Sequence, residues 1–377
     1  MSESILAAVM TAPRQPIELR EFPRPDLPAG AVLLKTSLSE VCGTDVHLWH
    51  GRLAGVPYPI IPGHVSAGVV DAARGSVTGL DGSPIREGDR VVFFDVHRTC
   101  GRCRACTVHR TPTRCAARRV YGITDSANEG LFGGWARAIY LEPGVGIARL
   151  PDAVALDDYI GGGCGLLTAV HIAERAEIRL GDTVVVQGVG AVGLSAIALA
   201  RIAGASRIIA IGAPQSRLAL AGEMGADILL ELGPTSPSGF GGPGATTPEA
   251  RRQAVLDATH GEGADVVIEA AGAAAAISEG LDLARAGGRY VIAGHYTDVG
   301  DSNINAHQQI NRKHLEIRGC WGSEARHFLR ALSILERHPS IPFRKIGARR
   351  YALHELNDAL ADAEAMRIPK ALVDPWQ

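Results

Sequence analysis

Thr183-Val-Val-Val-Gln-Gly-Val-Gly-Ala-Val-Gly193 sets the architecture of the second half of this chain. A run of apolar β-branched residues leads into glycines spaced G-x-G-x-x-G, and an Ala-, Leu- and Ile-rich segment follows to about Ala203. Strand, glycine turn and helix in this order are the context that a dinucleotide-binding turn requires. A turn that binds nothing is the alternative for the glycine pattern on its own.

The residues of this turn have separate predicted tasks. Gly188 permits the tight turn, Gly190 lets the backbone approach a pyrophosphate, and Gly193 lets the helix pack on the strand. The amides and the positive dipole end of the helix N-terminus then face the phosphates. The predicted cofactor contacts of the turn are therefore Gly188, Val189, Gly190, Ala191, Val192 and Gly193.

The α/β alternation continues after the turn, whereas the chain before it has a different texture. Further strands are predicted at 207–211, 265–269 and 288–293, and a helix at 324–337. Residues 233–247 are rich in Gly, Pro, Ser and Thr and predict a surface loop, either a neutral insertion or a substrate lid. Up to about Ile147 the sequence predicts many short strands with Gly and Pro turns.

Candidate ligands for a first metal site occur in three separate places. Val41-Cys-Gly-Thr-Asp-Val-His47 combines a thiol, a hydroxyl and an imidazole, and by itself could be a buried Cys and a surface His. His64 and Cys164 add two further ligands. Two Cys and one His with an open fourth position form a catalytic zinc set, the one found in alcohol dehydrogenase.

Four further cysteines predict a second metal site, namely Cys100, Cys103, Cys106 and Cys115. Four thiolates close a tetrahedral shell and leave no room for a substrate, so this site is structural. His97 and His109 flank the cluster and could replace a ligand, although exposed loop positions are the expectation for both. Cys320 remains over and is predicted to be a packed small residue.

Composition limits the class of protein. The chain has 377 residues, room for two domains, with 46% hydrophobic and 21% charged residues. A net charge of −2 offers no electrostatic case for a nucleic acid or an anionic membrane as partner. The first residues lack the pattern of a signal peptide. Cysteines at metal-binding spacing favour a reducing compartment, so a cytoplasmic location is expected.

With these motifs together, the chain resembles the zinc-dependent medium-chain alcohol dehydrogenases over nearly its whole length. The resemblance includes Cys-Gly-Thr-Asp-x-His at Cys42–His47, Gly63-His64, the four-Cys lobe, Gly-Gly-Trp-Ala at 133–136, Leu150-Pro-Asp152, Cys164 and the glycine turn.

The resemblance implies an α/β fold of two domains. A doubly wound Rossmann domain at 166–319 would bind the cofactor. A mainly β, partly open, GroES-like barrel made of 1–165 and 320–377 would carry catalysis. The active site is expected in the cleft between them, and a homodimer or homotetramer is expected.

The resemblance also implies roles for single residues. Catalytic zinc would be bound by Cys42, His64 and Cys164. Asp45 would hold one of these ligands in position without binding the metal itself. Thr44 would take the alcohol proton and pass it, through the cofactor ribose, to His47. Hydride would pass reversibly between a small-molecule alcohol (secondary, polyol or cyclic) and NAD(H) or NADP(H).

Three positions depart from the family pattern. Val65 stands where the family usually has Glu, and the gap from Cys106 to Cys115 is one residue longer than usual. Gly212 stands where an Asp would bind the adenosine ribose, and Arg217 is the nearest residue that could grip a 2′-phosphate. Weak discrimination between the two cofactors is therefore expected. A zinc-free reductase of the same superfamily and a non-catalytic NAD(P)-binding zinc protein are the alternatives.

Overall fold

The computed structural model describes residues 4–232 and 246–377, so the predicted loop at 233–247 lies outside the described residues except for its last two. Contacts divide the chain into two units, Met1–Gly163 with Ser323–Gln377, and Cys164–Gly322. Each unit has its own sheet.

The strands, in chain order, are β1 (Ser4–Val9), β2 (Glu18–Pro23), β3 (Val32–Val41), β4 (Ser66–Ala73), β5 (Val77–Thr78), β6 (Pro84–Ile85), β7 (Arg90–Phe93), β8 (Val96–Arg98), β9 (Arg119–Val120), β10 (Ala138–Leu141), β11 (Ile147–Arg149), β12 (Thr183–Gln187), β13 (Arg207–Gly212), β14 (Ile228–Glu231), β15 (Ala264–Glu269), β16 (Ala284–Ile292), β17 (Glu316–Gly319), β18 (Gly347–Tyr351) and β19 (Lys370–Val373).

The α-helices are α1 (Gly43–Trp49), α2 (Arg104–Thr107), α3 (Leu156–Ala176), α4 (Ala191–Ile202), α5 (Gln215–Glu223), α6 (Pro248–Ala258), α7 (Ala274–Leu283), α8 (Ala325–Arg337) and α9 (Leu356–Glu364). Short 3-10 segments lie at Pro112–Arg114, Phe343–Lys345 and Leu353–Glu355, and a π-helical segment at Ala306–Asn311. Among the described residues, no helix combines the length and the apolar composition needed to cross a bilayer.

The main sheet of the first unit is built around β3. Its strand order is β11-β7-β4-β3-β19-β18, and β10 also pairs with β3. Residues 32–35 of β3 lie opposite β10, while residues 39–41 lie opposite β19. One long strand therefore pairs with two partners end to end. The first zinc-ligand candidate, Cys42, directly follows the end that pairs with β19. The prediction of a mainly β, GroES-like unit is confirmed.

The sheet of the second unit is parallel throughout, with the order β14-β13-β12-β15-β16-β17. This is the doubly wound order 3-2-1-4-5-6, in which the ligand crevice lies where the order reverses. Val184, Val185 and Val186 of the central strand β12 are fully buried, as a strand covered on both faces requires. The prediction of a Rossmann unit is confirmed.

Individual elements differ from the prediction at one place that matters for the site. The sequence predicts a helix over 167–176, but α3 begins at Leu156 and is interrupted at Gly163, which has φ 44° and ψ −140°. Three consecutive glycines disfavour a continuous helix, which is why the pattern did not extend the helix back to Leu156. Cys164 directly follows this break.

Candidate metal centres and cofactor site

The end of β3 and the start of α1 position the first candidate ligand. Cys42 is the N-cap of α1, and its backbone N–H donates to Asp45 Oδ2 at 2.8 Å. Both residues are buried. Asp45 thus fixes the backbone of Cys42, and its other oxygen, Oδ1, has no hydrogen-bonding partner among the described residues.

A glycine turn positions the second candidate. Gly63 has φ +87°, and a Cβ at this residue would lie 2.6 Å from Cδ1 of the buried Trp135. Any other side chain would therefore displace the turn that delivers His64 to the start of β4.

Four potential ligand atoms converge, from Glu40, Cys42, His64 and Cys164, all within 4.8 Å of one another. His64 Nε2 lies 4.0 Å from Cys42 Sγ and 3.6 Å from Glu40 Oε1. Neighbouring ligands of tetrahedral zinc are separated by roughly 3.3–3.8 Å, given its usual bond lengths. Cys164 is joined to the first unit by its peptide bond with Gly163. The sequence-predicted set Cys42, His64 and Cys164 is therefore brought together.

The electrostatics of this group fit a cation. Glu40 Oε1 and His64 Nδ1 are buried atoms without a hydrogen-bonding partner in the described part of the chain, an arrangement that folded proteins avoid. Burial lowers the pKa of His64, but Cys42 and Glu40 outweigh it and raise that pKa to about 10. Burial also raises the pKa of Glu40, and Cys42 adds to this rise. A bound zinc ion would relieve this surplus of negative charge.

Sequence reasoning missed Glu40. It is fully buried on β3, and its Oε2 accepts a hydrogen bond from the equally buried Lys370 at 2.5 Å. The available signal was a carboxylate two residues before a ligand Cys, near the end of a mostly buried strand. Val65, where the family usually has Glu, is a buried apolar residue, so the carboxylate of this group comes instead from Glu40 on β3.

Thr44 and His47 lie on α1, three residues apart, so their side chains share one helix face. Both are half-buried. Burial lowers the pKa of His47 below its usual 6.5, and the nearby positive charge of Arg52 lowers it further. The imidazole of His47 therefore takes up a proton at a lower pH than an ordinary histidine does.

The four-Cys lobe is also assembled. The Sγ atoms of Cys100, Cys103, Cys106 and Cys115 lie within 4.8 Å of one another. The backbone N–H of Cys103 donates to Cys100 Sγ at 3.3 Å, and that of Cys100 donates to Cys115 Sγ at 3.3 Å. Backbone N–H groups, first that of Arg102, lower the pKa of Cys100 to about 6, which favours the thiolate that zinc requires. The longer gap before Cys115 does not keep it from the cluster.

One prediction about the flanks of the lobe is wrong. His97 is buried rather than exposed, and it bonds Glu142 Oε2 at 2.9 Å and Asp125 Oδ2 at 3.1 Å. Its two ring nitrogens are thus occupied by carboxylates, and neither His97 nor the exposed His109 belongs to the metal group.

The glycine turn of the second unit has the geometry of a phosphate cradle. Gly188 has φ +103°, and a Cβ on Gly193 would lie 1.9 Å from Gly188 O, so neither position accepts a side chain. Gly190 is the N-cap of α4, and a Cβ there would meet nothing within 4 Å. The backbone at Gly190, where α4 begins, therefore borders open space, into which a dinucleotide phosphate would fit.

The two residues expected near the adenosine ribose, Gly212 and Arg217, have different surroundings in the structure. Gly212 ends β13, and a Cβ there would lie 2.4 Å from Val189 Cγ2. A side chain at 212 would thus press on the glycine turn itself. Arg217 lies in the first turn of α5 and is buried, and burial lowers its pKa to about 10.

Comparisons with known proteins place the chain in a family. Residues 28–152 match the alcohol dehydrogenase GroES-like domain, and residues 191–337 match the zinc-binding dehydrogenase domain. The 5-exo-hydroxycamphor dehydrogenase of Pseudomonas putida is 32% identical over 372 residues, 98% of each chain. An L-threonine 3-dehydrogenase of Francisella tularensis is 30% identical over 309 residues, 81% of each chain. A solved alcohol dehydrogenase of Thermotoga maritima superposes with a TM-score of 0.91 at 34% identity, covering 99% of each chain.

The chain therefore belongs to the zinc-dependent medium-chain alcohol dehydrogenase family. It is an alcohol dehydrogenase that acts on a small molecule, with zinc and a nicotinamide dinucleotide as cofactors. The resemblance drawn from the motifs is confirmed.

Proposed function

We propose that this chain oxidises a secondary alcohol to a ketone, reversibly, with NAD or NADP. The observation that carries the proposal is the convergence of Cys42, His64 and Cys164 within 4.8 Å. The substrate class is supported by two relatives whose names specify a ring carbon of hydroxycamphor and carbon 3 of threonine, both bearing a secondary hydroxyl. Polyols and cyclic alcohols fall in the same class.

Seven cysteine and histidine side chains would hold two zinc ions per chain. Cys42, His64 and Cys164 would form the catalytic site and the four-Cys lobe the structural one. When bound, catalytic zinc supplies Lewis acidity toward the alcohol oxygen, and the nicotinamide supplies the hydride acceptor. Asp45 keeps the backbone of Cys42 in place, which holds this ligand for the metal.

Thr44 and His47 would move the proton. The Thr44 hydroxyl accepts the alcohol proton, and His47 takes it on to solvent. Their shared helix face and the lowered pKa of His47 support this role, because a neutral imidazole is the form that accepts.

Residues 188–193 would bind the cofactor pyrophosphate, and Arg217 the ribose end. The open space at Gly190 and the location of Arg217 in the helix after β13 support this assignment. The protein would be a homodimer or homotetramer. It would lie in the cytoplasm, since thiolate metal sites persist in reducing compartments.

The test is a panel of alcohols measured with both cofactors at the absorbance of the reduced nicotinamide. Each secondary alcohol is paired with a primary alcohol of equal carbon number, and the matching ketones are tested in reverse. We expect the secondary alcohols to have the higher kcat/KM. Preference for primary alcohols would overturn the substrate class, and no turnover of either would overturn the proposed activity.

A further inference from the structure

Glu40 lies close to the three predicted zinc ligands, Cys42, His64 and Cys164, although it is not one of them. One oxygen, Oε1, is 3.6 Å from His64 Nε2 and has no hydrogen-bonding partner among the described residues. The side chain is fully buried, so water does not solvate this oxygen. A buried carboxylate oxygen without a donor needs a cation or a proton nearby.

The other oxygen of Glu40 is held by a cation. Lys370 Nζ donates to Glu40 Oε2 at 2.5 Å, and also to Ile160 O at 3.0 Å and Gly162 O at 3.3 Å. The pairing of Leu372 with Glu40 between β19 and β3 puts Lys370, two residues back, on the same sheet face. The same ammonium thus fixes Glu40 and the backbone just before Cys164.

The missing side chain of Gly163 leaves room for the pair of Glu40 and Lys370. A Cβ on Gly163 would lie 2.1 Å from Glu40 Oε2 and 2.3 Å from Lys370 Nζ. Trp135 Nε1 donates to Glu40 O at 2.8 Å and fixes the backbone of β3 at this residue. Glu40 is therefore locked with one oxygen toward Lys370 and the other toward the ligand group.

We propose that Glu40 is the fourth protein ligand of catalytic zinc in the substrate-free enzyme. Lys370 then holds the Glu40 carboxylate when the alcohol oxygen replaces this carboxylate as a ligand. The exchange conserves four ligands, and the carboxylate keeps its charge throughout. Two thiolates, one carboxylate, Lys370 and a dication sum to zero, which suits a buried site. This inference rests on the proposed function of Cys42, His64 and Cys164.

The experiment uses the full chain with cobalt in the catalytic site, without substrate or cofactor, and imidazole as the competing ligand. Imidazole binding is followed by the cobalt absorption bands. We expect Glu40→Ala and Glu40→Gln to bind imidazole at least about tenfold more tightly than wild type, because no protein carboxylate competes. Lys370→Met should bind it more weakly than wild type, because Glu40 then has only the metal as its cation.

A purely structural ion pair predicts a different result. In that case Glu40→Gln and Lys370→Met would change imidazole affinity in the same direction, or leave it unchanged, and the inference would be overturned. Asp71→Asn is the charge control, since it removes a carboxylate from an exposed pair with Arg24 on the neighbouring strand β4. It should leave imidazole affinity at the wild-type value.

Failure of the proposed function would be visible separately. Wild-type protein that takes up metal only in the four-Cys lobe would show that Cys42, His64 and Cys164 are not a metal site. Wild type with both sites filled and the same imidazole affinity as Glu40→Ala would overturn only the role of Glu40. If Glu40→Ala does not fold, Glu40→Gln keeps the side-chain shape and decides the question.

Discussion

Lys370 donates to Glu40 across 2.5 Å, although 330 residues separate the two in the chain. The pair joins the last strand of the first unit, β19, to β3, which ends just before Cys42. Both side chains are fully buried, so each charge depends on the other. When no metal occupies the catalytic site, removal of one partner leaves an uncompensated buried charge, which costs about 3–5 kcal/mol in such pairs.

We therefore expect Lys370→Met to lower the free energy of unfolding by about that amount, and Lys370→Met with Glu40→Gln to recover part of it. Denaturant unfolding of wild type, Glu40→Gln, Lys370→Met and the double variant, followed by tryptophan fluorescence, measures both effects. Additive losses in the double variant would show that the two side chains do not interact.

The four-Cys lobe predicts a metal content and a stability effect. Wild type should carry two zinc ions per chain, and Cys103→Ser one, with a lower melting temperature because structural zinc contributes folding energy directly. Elemental analysis and a thermal scan measure these. The control is Cys320→Ala, a buried cysteine outside both metal groups, which should keep both zinc ions. An unchanged melting temperature in Cys103→Ser would argue against a zinc site in the lobe.

His64 belongs to the first unit and the glycine turn to the second. We expect His64→Ala to retain less than about one percent of wild-type kcat, since loss of supporting residues alone already costs 10- to 100-fold. Affinity for the reduced cofactor, measured by fluorescence titration, should stay near wild type. His109→Ala, at an exposed position outside the ligand group, is the control. Substantial activity in His64→Ala would remove this residue from the ligand set.

Much of the fold could be predicted because its signals are local. Strand β12 is evident from the sequence, since β-branched residues and a glycine turn delimit it within a few positions. The two zinc-ligand sets were likewise predictable, because Cys and His at these spacings have few structural uses. The helix start at Leu156 was not, because Gly161 to Gly163 conceal it.

The remaining features depend on contacts between distant residues. Glu40 and Lys370 look like isolated charges in two strands far apart in the sequence, and only the pairing of β3 with β19 brings them together. The sequence around His97 is typical of a loop, whereas in the structure Glu142 and Asp125 each bond one of its ring nitrogens. In the sequence Gly212 stands out as a missing ribose ligand, whereas the structure gives a packing reason for glycine there, because a Cβ would collide with Val189.

The proton relay predicts a pH dependence. The pKa of His47 lies below 6.5, so this side chain is neutral at pH 6.5 and becomes protonated only as the pH falls through the lowered value. Its share of alcohol oxidation should therefore be present above that value and be lost on acidification. Profiles of kcat against pH should show an acid limb below pH 6.5 in wild type that is absent in His47→Gln.

Thr44→Val is the companion variant, because it removes the hydroxyl and keeps the shape. We expect Thr44→Val to lose more activity than His47→Gln across the whole pH range, since water can substitute at the outer end of a relay but not beside the substrate. Equal losses in the two variants, or an unchanged acid limb in His47→Gln, would contradict this order of transfer.

Cofactor choice depends on the end of β13 and the start of α5. The chain lacks an acidic residue at Gly212 that would bind the ribose hydroxyls and repel a 2′-phosphate. We expect discrimination between NAD and NADP within about a hundredfold in kcat/KM, or roughly 3 kcal/mol. The sequence alone suggests Gly212→Asp as the test, and loss of NADP use as its result. However, a Cβ at 212 would lie 2.4 Å from Val189 Cγ2, so this variant also disturbs the pyrophosphate turn.

Arg217→Met is the sharper variant, because it leaves the turn intact. A charge-assisted hydrogen bond contributes about 1.5–3 kcal/mol, so kcat/KM with NADP should fall roughly 10- to 100-fold, while that with NAD changes little. Arg201→Met is the matched control, since this guanidinium on α4 pairs with Asp227 in the same unit. It should affect both cofactors equally. If Arg217→Met also weakens NAD and NADP equally, Arg217 supports the fold of the second unit and does not contact the 2′-phosphate.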